Sequence, residues 1–222
     1  MYNELKTENL LDLSHTIAGE LLKKHEFPWE VLPEIKEFII KLQKELPKDE
    51  YDEISPQVFV AKDVKIAKTA SISAPCIIGK GTEVRQCAFI RGSAIIGENC
   101  VIGNSVELKN CIIFDNVQVP HYNYVGDSVL GYRSHLGAGA LTSNVKSDKT
   151  NANIRFFDEK IETGLRKFGA IVGDGVEVGC NSVLNPATVI GRGSRVYPLS
   201  FVRGYIPEQH IFKSPDDIVK IV

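Results

Sequence analysis

The feature that most constrains this chain of 222 residues is an apolar residue at every sixth position. The first run of ten such positions is unbroken: Val60, Ile66, Ile72, Ile78, Val84, Ile90, Ile96, Ile102, Leu108 and Phe114. Small or apolar side chains follow four positions later, and glycine often follows directly, as at Gly79, Gly97 and Gly103. This period matches neither the 3.6 residues of an α-helix nor the two-residue alternation of an ordinary strand.

A period of six suits a short strand plus a turn, repeated as the sides of a three-sided prism. Three sides form a coil of 18 residues, and the coils stack about 4.8 Å apart with the aliphatic residue pointing inward. The repeat breaks at Pro120–Val129, resumes at Leu130 and Leu136, and stops again over Thr142–Ile171. It returns at Val172, Val178, Leu184, Ile190, Val196 and Val202. We therefore predict an all-β fold, a parallel β-helix of about six coils.

The composition changes near residue 50, so the β-helix is assigned to residues 51–206, with an inserted loop at 142–171 and a tail at 207–222. Residues 1–50 carry an acidic excess and two stripes at helical spacing. The stripes are Leu10, Leu13, Ile17 and Leu21, and then Ile35, Phe38, Ile39, Leu42 and Leu46. Two short amphipathic helices cannot bury their stripes alone. We expect this helical region to dock on the following domain or on another copy of the chain.

Charge and cysteine usage exclude several classes. The sequence has 26 Lys and Arg against 28 Asp and Glu, and this balance argues against a nucleic-acid binder. No apolar run approaches the roughly 18 residues of a membrane helix, so we expect a cytoplasmic protein that binds no membrane. The five cysteines form no CxxC pair, which favours small buried residues over a disulfide framework or a zinc site.

Candidate chemistry lies where the repeat is interrupted. Arg91 and Lys109 are one coil of 18 residues apart, so they should stack on one face, where a phosphate would relieve their repulsion. The alternative is two solvated surface cations. His121 lies in the broken segment, where an imidazole could take up a proton near neutral pH, and His135 is a second such residue. A surface or packing role is the alternative for either histidine.

Three motifs carry a family resemblance. They are Val106-Glu107-Leu108-Lys109-Asn110, Pro120-His121-Tyr122-Asn123-Tyr124-Val125-Gly126-Asp127, and Leu136-Gly137-Ala138-Gly139 followed by Leu141-Thr142-Ser143-Asn144. Over residues 55–206 they resemble the acetyltransferase domain of the bifunctional N-acetylglucosamine-1-phosphate uridyltransferase/glucosamine-1-phosphate N-acetyltransferases. They are closer still to the archaeal sugar-1-phosphate nucleotidyltransferase/acetyltransferases. The resemblance implies a left-handed β-helix, acetyl-CoA as co-substrate, and a homotrimer with sites between neighbouring prisms.

The resemblance also implies residue roles. His121 matches the catalytic base, and Asn144 matches a side chain that helps hold the substrates and the reacting carbonyl. The sugar-phosphate contacts match Arg91, Lys109 and Tyr124, with His135 at a sugar-contacting position and Lys149 as a further phosphate contact once one residue is deleted before it. The positions that line CoA match Ala138, Cys180 and Pro198. No metal is implied.

Two departures from the family pattern bear on the function. His135 stands where the family has Asn, so the acceptor sugar can differ from the family's own. Residues 1–50 are too short for the nucleotidyltransferase half, so we expect no uridyltransferase activity. The leading hypothesis is an acetyl-CoA-dependent N-acetyltransferase acting on an amino-sugar phosphate, with glucosamine-1-phosphate as the expected acceptor. The alternatives are an acyltransferase for another, nucleotide-linked amino sugar, a non-catalytic β-helix that binds sugar phosphates or a partner, and a metal-dependent carbonic anhydrase.

Overall fold

A computed structural model describes residues 2–221, which form a parallel β-solenoid preceded by a short helical region. The helices are α1 Thr7–Leu10, α2 Gly19–Leu22 and α3 Ile35–Leu42, with 3-10 turns at Asn3–Leu5, Leu13–His15 and Pro28–Val31. The strands up to the middle of the solenoid are β1 Tyr51–Ser55, β2 Val58–Ala61, β3 Lys65–Ile66, β4 Ser71–Ile72, β5 Cys76–Ile78, β6 Glu83–Val84, β7 Phe89–Ile90, β8 Ala94–Ile96, β9 Val101–Asn104, β10 Glu107–Ile113, β11 Gln118–His121 and β12 Tyr124–Leu130. The later strands are β13 His135–Leu136, β14 Leu141–Thr142, β15 Asn153–Phe156, β16 Glu159–Glu162, β17 Ala170–Val172, β18 Glu177–Val178, β19 Val183–Leu184, β20 Thr188–Ile190, β21 Arg195–Val196, β22 Phe201–Val202, β23 Tyr205–Ile206, β24 His210–Ser214 and β25 Asp217–Lys220.

The strands build three walls of a prism. Wall 1 stacks β2, β5, β8, the ends of β10 and β12, β17, β20 and β23. Wall 2 stacks β3, β6, β9, β11, β13, β18, β21 and β24. Wall 3 stacks β4, β7, the starts of β10 and β12, β14, β19 and β22. The solenoid has about nine turns once the antiparallel strands β1 and β25 that close its two ends are counted.

The prediction of a parallel β-helix is confirmed, but the six predicted coils are too few. Partners on wall 1 are 18 residues apart at Ile78 and Ile96 but 17 apart at Ile96 and Ile113, because one corner residue is missing after Leu108. The inward residue of this layer is therefore Ile113 and not Phe114. Phe114 is equally buried, and because it lies six residues after Leu108 the sequence seemed to continue the repeat without a slip. The segment Pro120–Val129 is an ordinary coil in this shifted register, so the repeat does not break there.

Wall 1 is buried on both of its faces. Between its two end strands its outward residues are fully covered, and they include Ile77, Ile95, Ile112, Val129 and Ile171. The covering layer is the N-terminal region, whose buried side chains join the same core: Leu10, Leu11, Leu21, Leu22, Trp29, Val31, Leu32, Ile35 and Ile39. Of the two docking partners predicted for these helices, the structure shows the following domain of the same chain.

The predicted second helix is present as α3, although it ends at Leu42, whereas the first predicted helix is wrong. Its stripe is divided between α1, a 3-10 turn and α2, with Leu11 in extended conformation. The main-chain oxygens of Leu10 and His15 accept hydrogen bonds from Asp174 and Asp115 of the solenoid, at 3.1 Å and 3.0 Å. These tertiary bonds use carbonyl groups that a continuous helix would have needed for itself.

The insertion is not a structureless loop. It contains the antiparallel hairpin β15–β16, and Ala152, Ile154 and Phe156 are buried against the rest of the chain. Phe156 packs against the rings of Tyr2 and Tyr205. The hairpin therefore folds back over the C-terminal part of wall 1.

The cysteines divide into two groups. Cys76, Cys100 and Cys111 are buried as predicted, and burial raises the pKa of the Cys76 and Cys100 thiols to about 12. Cys87 and Cys180 are exposed, which corrects the prediction for these two. Within residues 2–221, no helix combines the length and the apolar composition needed to cross a membrane.

Candidate functional site

Wall 3 places the two predicted phosphate-binding cations in neighbouring layers. Leu108 pairs with Ile90, and the next residues on each strand, Lys109 and Arg91, are therefore in register, as their 18-residue spacing predicted. The guanidinium of Arg91 is held by the Glu107 carboxylate, with 2.7 Å between Nη1 and Oε1. Since both side chains of this pair are partly exposed, the ion pair is weak enough for an incoming anion to compete with Glu107.

Tyr124 lies on the same wall, one layer above Glu107. Its ring extends over Gly126, where a Cβ atom would come within 2.4 Å of the phenol oxygen. Burial raises the pKa of the Tyr124 phenol, and the negative charges of Asp127 and Glu107 raise it further. The hydroxyl group therefore remains protonated at neutral pH and can donate a hydrogen bond.

Asn144 reaches this wall from the start of the insertion. Its Nδ2 donates to the Tyr124 hydroxyl at 3.2 Å and also to Oδ2 of Asp127. Asp127 is 5% exposed, and its other oxygen accepts from Asn110 Nδ2 at 2.9 Å. Both Asn110 and Asp127 occupy the left-handed backbone region, with a φ of 48° at each, at the shortened corner between walls 3 and 1.

His121 ends wall 2, at the corner that leads into wall 3. The backbone of this corner is fixed by Asn123, which is 2% exposed. Its Oδ1 accepts from the His121 main-chain N–H, and its Nδ2 donates to the carbonyl oxygens of Gly137 and Ala140. The imidazole itself is exposed at the edge of wall 3. About three strand residues, or roughly 10 Å, separate this corner from the position of Gly126, which pairs with Lys109.

The predicted CoA-lining residues share one column with His121. Gly139 donates its N–H to the carbonyl of His121 at 2.9 Å, Asn181 to that of Ala138 at 2.8 Å, and Leu199 to that of Cys180 at 2.9 Å. Each bond joins successive layers in the register fixed by wall 2. His121, Ala138, Cys180 and Pro198 therefore stack along the corner between walls 2 and 3. We call these four residues the corner column, and it spans about 14 Å along the solenoid axis.

The two remaining predicted contacts lie elsewhere in the chain. His135 stands on wall 2, where its Nδ1 is 2.7 Å from Oε2 of Glu177. Lys149 is exposed in a turn of the insertion with a φ of 58°. Within residues 2–221, no hydrogen bond or ion pair joins His135, Lys149 or the His121 ring to Arg91 or Lys109.

Sequence reasoning missed the buried Asp127 and its partner Asn110. Asp127 ends one of the three family motifs, but nothing in the sequence indicated that its carboxylate is buried or that Asn144 would reach it. Within residues 2–221, no three His, Cys, Asp or Glu side chains are grouped closely enough to hold a metal ion.

Sequence comparisons place the chain among proteins with related repeats. Residues 55–147 match the family profile described as the EIF2B subunit epsilon LbH domain, where LbH denotes a left-handed β-helix. The "Bifunctional protein GlmU" of Methanococcus aeolicus is 30% identical over 175 residues, which cover 70% of this chain and 42% of that protein. A "Bifunctional sugar-1-phosphate nucleotidylyltransferase/acetyltransferase" of Sulfurisphaera tokodaii is 34% identical over 160 residues, which cover 72% of this chain and 40% of that protein.

The solved structures are more distant. A point mutant of AntD, an N-acyltransferase from Bacillus cereus in complex with dTDP and coenzyme A, has a TM-score of 0.40 and 23% identity, covering 73% of this chain and 83% of that chain. At this TM-score the superposition adds nothing to the sequence relationship. The matched part of the chain spans less than half the length of the two curated relatives.

Proposed function

This chain is a left-handed β-helix relative of the GlmU-type bifunctional nucleotidyltransferase/acetyltransferases, related to them over their hexapeptide-repeat acetyltransferase region, and on that premise we propose that it is an acetyl-CoA-dependent N-acetyltransferase for an amino-sugar phosphate. The acceptor we propose is glucosamine-1-phosphate. The observation that carries this proposal is the meeting of the corner column and wall 3 at His121. The corner column would hold the elongated cofactor and the cations of wall 3 would hold the phosphate, and His121 lies where the two surfaces meet.

The corner column supports the position of the cofactor. Its three upper residues are small or compact, so an extended pantetheine arm could lie along them with its thioester near His121. A second prism packed against this corner would enclose the arm, because Tyr197 and Leu199 beside the column are 47% and 79% exposed. Exposed apolar residues along a cofactor track are typical of a surface that is covered in the working assembly.

Wall 3 supports the position of the acceptor. The phosphate would lie against Arg91 and Lys109. The guanidinium of Arg91 can form two parallel hydrogen bonds to it once its ion pair with Glu107 is broken. The hydroxyl group of Tyr124 would donate to the same phosphate. A phosphate anchored there leaves the sugar to extend along wall 3 toward His121, so the amine would approach the base from the anchored side.

The proposed chemistry is a direct transfer. The acceptor nitrogen attacks the acetyl carbonyl carbon, the N–C bond forms and the C–S bond of the thioester breaks. The imidazole of His121 takes the proton from the nitrogen, and the leaving sulfur of CoA takes up a proton from the imidazolium or from solvent and departs as the thiol. A general base in such a position contributes about 10²–10⁴-fold, and holding the amine and thioester together contributes much of the rest.

The position of His135 favours a site shared between two copies. His135 lies on wall 2 and the phosphate cluster lies on wall 3, and the outer faces of two prism walls diverge from their common corner. One sugar can therefore touch both only if wall 2 of one copy faces wall 3 of another. We propose that the functional unit is a homotrimer with its sites between neighbouring prisms.

A panel of acceptors tests the function. Purified protein is incubated with acetyl-CoA and one of glucosamine-1-phosphate, glucosamine, galactosamine-1-phosphate or UDP-glucosamine, and free thiol is followed by colour development. The proposal predicts turnover with glucosamine-1-phosphate and a kcat/KM at least about tenfold lower for unphosphorylated glucosamine, since the lost phosphate contacts include charge-assisted hydrogen bonds. Turnover with UDP-glucosamine alone would favour a nucleotide-linked acceptor. Binding of glucosamine-1-phosphate without any turnover would favour a non-catalytic sugar-phosphate-binding protein.

A further inference from the structure

Within residues 2–221, Asp127 is the only residue whose carboxylate contacts the side-chain amides of both Asn110 and Asn144. It accepts from Asn110 Nδ2 with one oxygen and from Asn144 Nδ2 with the other. It is almost completely buried, and its backbone occupies the left-handed region. A buried carboxylate with hydrogen bonds from two side-chain amides, one on each of its oxygens, indicates a specific task at this corner.

The direction of these hydrogen bonds is set by Asp127. Both carboxylate oxygens of Asp127 act as acceptors here, so Asn144 turns its Nδ2 toward Asp127. The second proton of the same Nδ2 is donated to the Tyr124 oxygen at 3.2 Å. With this lone pair of the phenol oxygen occupied, the O–H of Tyr124 must point away from Asn144, and within residues 2–221 no acceptor of the chain takes it.

We propose that Asp127 is a positioning residue that sets the hydrogen-bond polarity of wall 3, so that Tyr124 presents its O–H to the phosphate of the acceptor sugar. This rests on the proposed function for the identity of the ligand. A donor at Tyr124 matches a phosphate oxygen. Both N–H groups of Asn144 are used within this network, by Asp127 and by Tyr124.

The N-terminal region anchors the other end of this network. Asn110 Nδ2 also donates to the main-chain oxygen of Leu32 at 3.1 Å, three residues before α3 begins. On the neighbouring segment, Trp29 stacks on Phe168, whose N–H donates to the carbonyl of Asn144 at 3.0 Å. The helical layer over wall 1 thus supports both amides that Asp127 accepts from. This gives residues 2–50 a role in the geometry of the site although none of them lies on wall 3.

A double-mutant cycle between Asp127→Asn and Tyr124→Phe tests the proposal. The amide of D127N can donate, so Asn144 can rotate and Tyr124 loses its fixed orientation. Calorimetry should show that D127N weakens the Kd for glucosamine-1-phosphate by about tenfold but changes the Kd for glucosamine by less than about twofold. In the Y124F background, D127N should weaken phosphate-ester binding by less than about twofold further, because the hydroxyl group through which it acts is gone.

Thr188→Val is the matched control. Thr188 is fully buried and its Oγ1 donates to the carbonyl of Asn185 at 2.7 Å, far from wall 3's cations, so this variant loses stability without touching the network. The proposal would be contradicted if D127N weakened the binding of glucosamine-1-phosphate and of glucosamine equally, or if the effects of D127N and Y124F were fully additive. Asp127 would then have only a structural role. Because the cycle measures binding, it remains readable if the wild-type protein binds the sugar phosphate but transfers no acetyl group.

A measurement on the wild-type protein covers the case in which D127N does not fold. With ¹³Cζ-labelled tyrosine and ¹⁵N-labelled protein, adding glucosamine-1-phosphate should shift the Tyr124 Cζ resonance and leave the Asn144 side-chain amide protons nearly unmoved. A large shift of those amide protons without a shift at Tyr124 would overturn the proposed polarity.

Discussion

Replacing His121 with alanine is expected to lower kcat for acetyl transfer by about 10²–10⁴-fold, which is the usual contribution of a positioned general base. The corner itself should survive, because Asn123 bonds to the main chain of His121 rather than to its ring. The KM for acetyl-CoA should change little, since the cofactor would lie against Ala138, Cys180 and Pro198. Steady-state thiol release with glucosamine-1-phosphate measures both constants.

His210→Ala is the matched control for this variant. His210 lies on β24 at the C-terminal end of the solenoid, and its Nδ1 is 2.6 Å from the carbonyl oxygen of Glu208. It should retain full activity and the same molar mass in solution. If H121A keeps more than about a tenth of wild-type kcat, His121 is not the base, and the proton must be taken by solvent or by another residue.

Replacing Gly103 with alanine is expected to destabilise the solenoid by more than about 4 kcal/mol, beyond the ordinary range for a single substitution. A Cβ atom at this position would lie 1.5 Å from the carbonyl oxygen of Pro120 and 2.0 Å from its carbon. Both atoms belong to the backbone of the next coil, so no side chain can rotate away. Relief would require separating two layers that pair through β9 and β11.

The loss would appear as a lower urea midpoint or as failure to accumulate soluble protein. Gly164→Ala is the control, because among residues 2–221 no atom beyond its own chain neighbours lies within 4 Å of the point that its Cβ would occupy, and its φ of 71° is what opposes alanine. We expect a cost of about 1–2 kcal/mol there, the usual penalty for an L-residue in the left-handed region. A G103A protein as stable as G164A would mean that the coils are not packed in the register described.

The repeat predicted the solenoid because the inward residue and the closely spaced glycines are both imposed by stacking. It failed at Leu108–Phe114, where three consecutive apolar residues, Ile112, Ile113 and Phe114, are all buried and hide a one-residue slip. The first helix failed for another reason. Its apolar stripe was real, but the solenoid takes the carbonyl groups of Leu10 and His15, and no local pattern reports such distant partners.

The sequence predicted some parts of the candidate site and not others, for similar reasons. The stacking of Arg91 and Lys109 followed from coil arithmetic, and the alignment of the corner column agrees with positions that the resemblance supplied. The network around Asp127 could not be predicted, because it depends on the path of the insertion that brings Asn144 to wall 3. His135 lies on wall 2 because it precedes Leu136, where the sequence correctly predicted that the repeat resumes.

A crystal structure of the protein with coenzyme A and glucosamine-1-phosphate tests the central claim most directly. The account predicts a phosphate between Arg91 and Lys109 of one copy, a pantetheine arm along His121, Ala138, Cys180 and Pro198, and a second copy whose wall 2 faces the sugar. Coenzyme A bound away from this column, or a phosphate that contacts neither cation, would contradict the proposed site and leave only the solenoid.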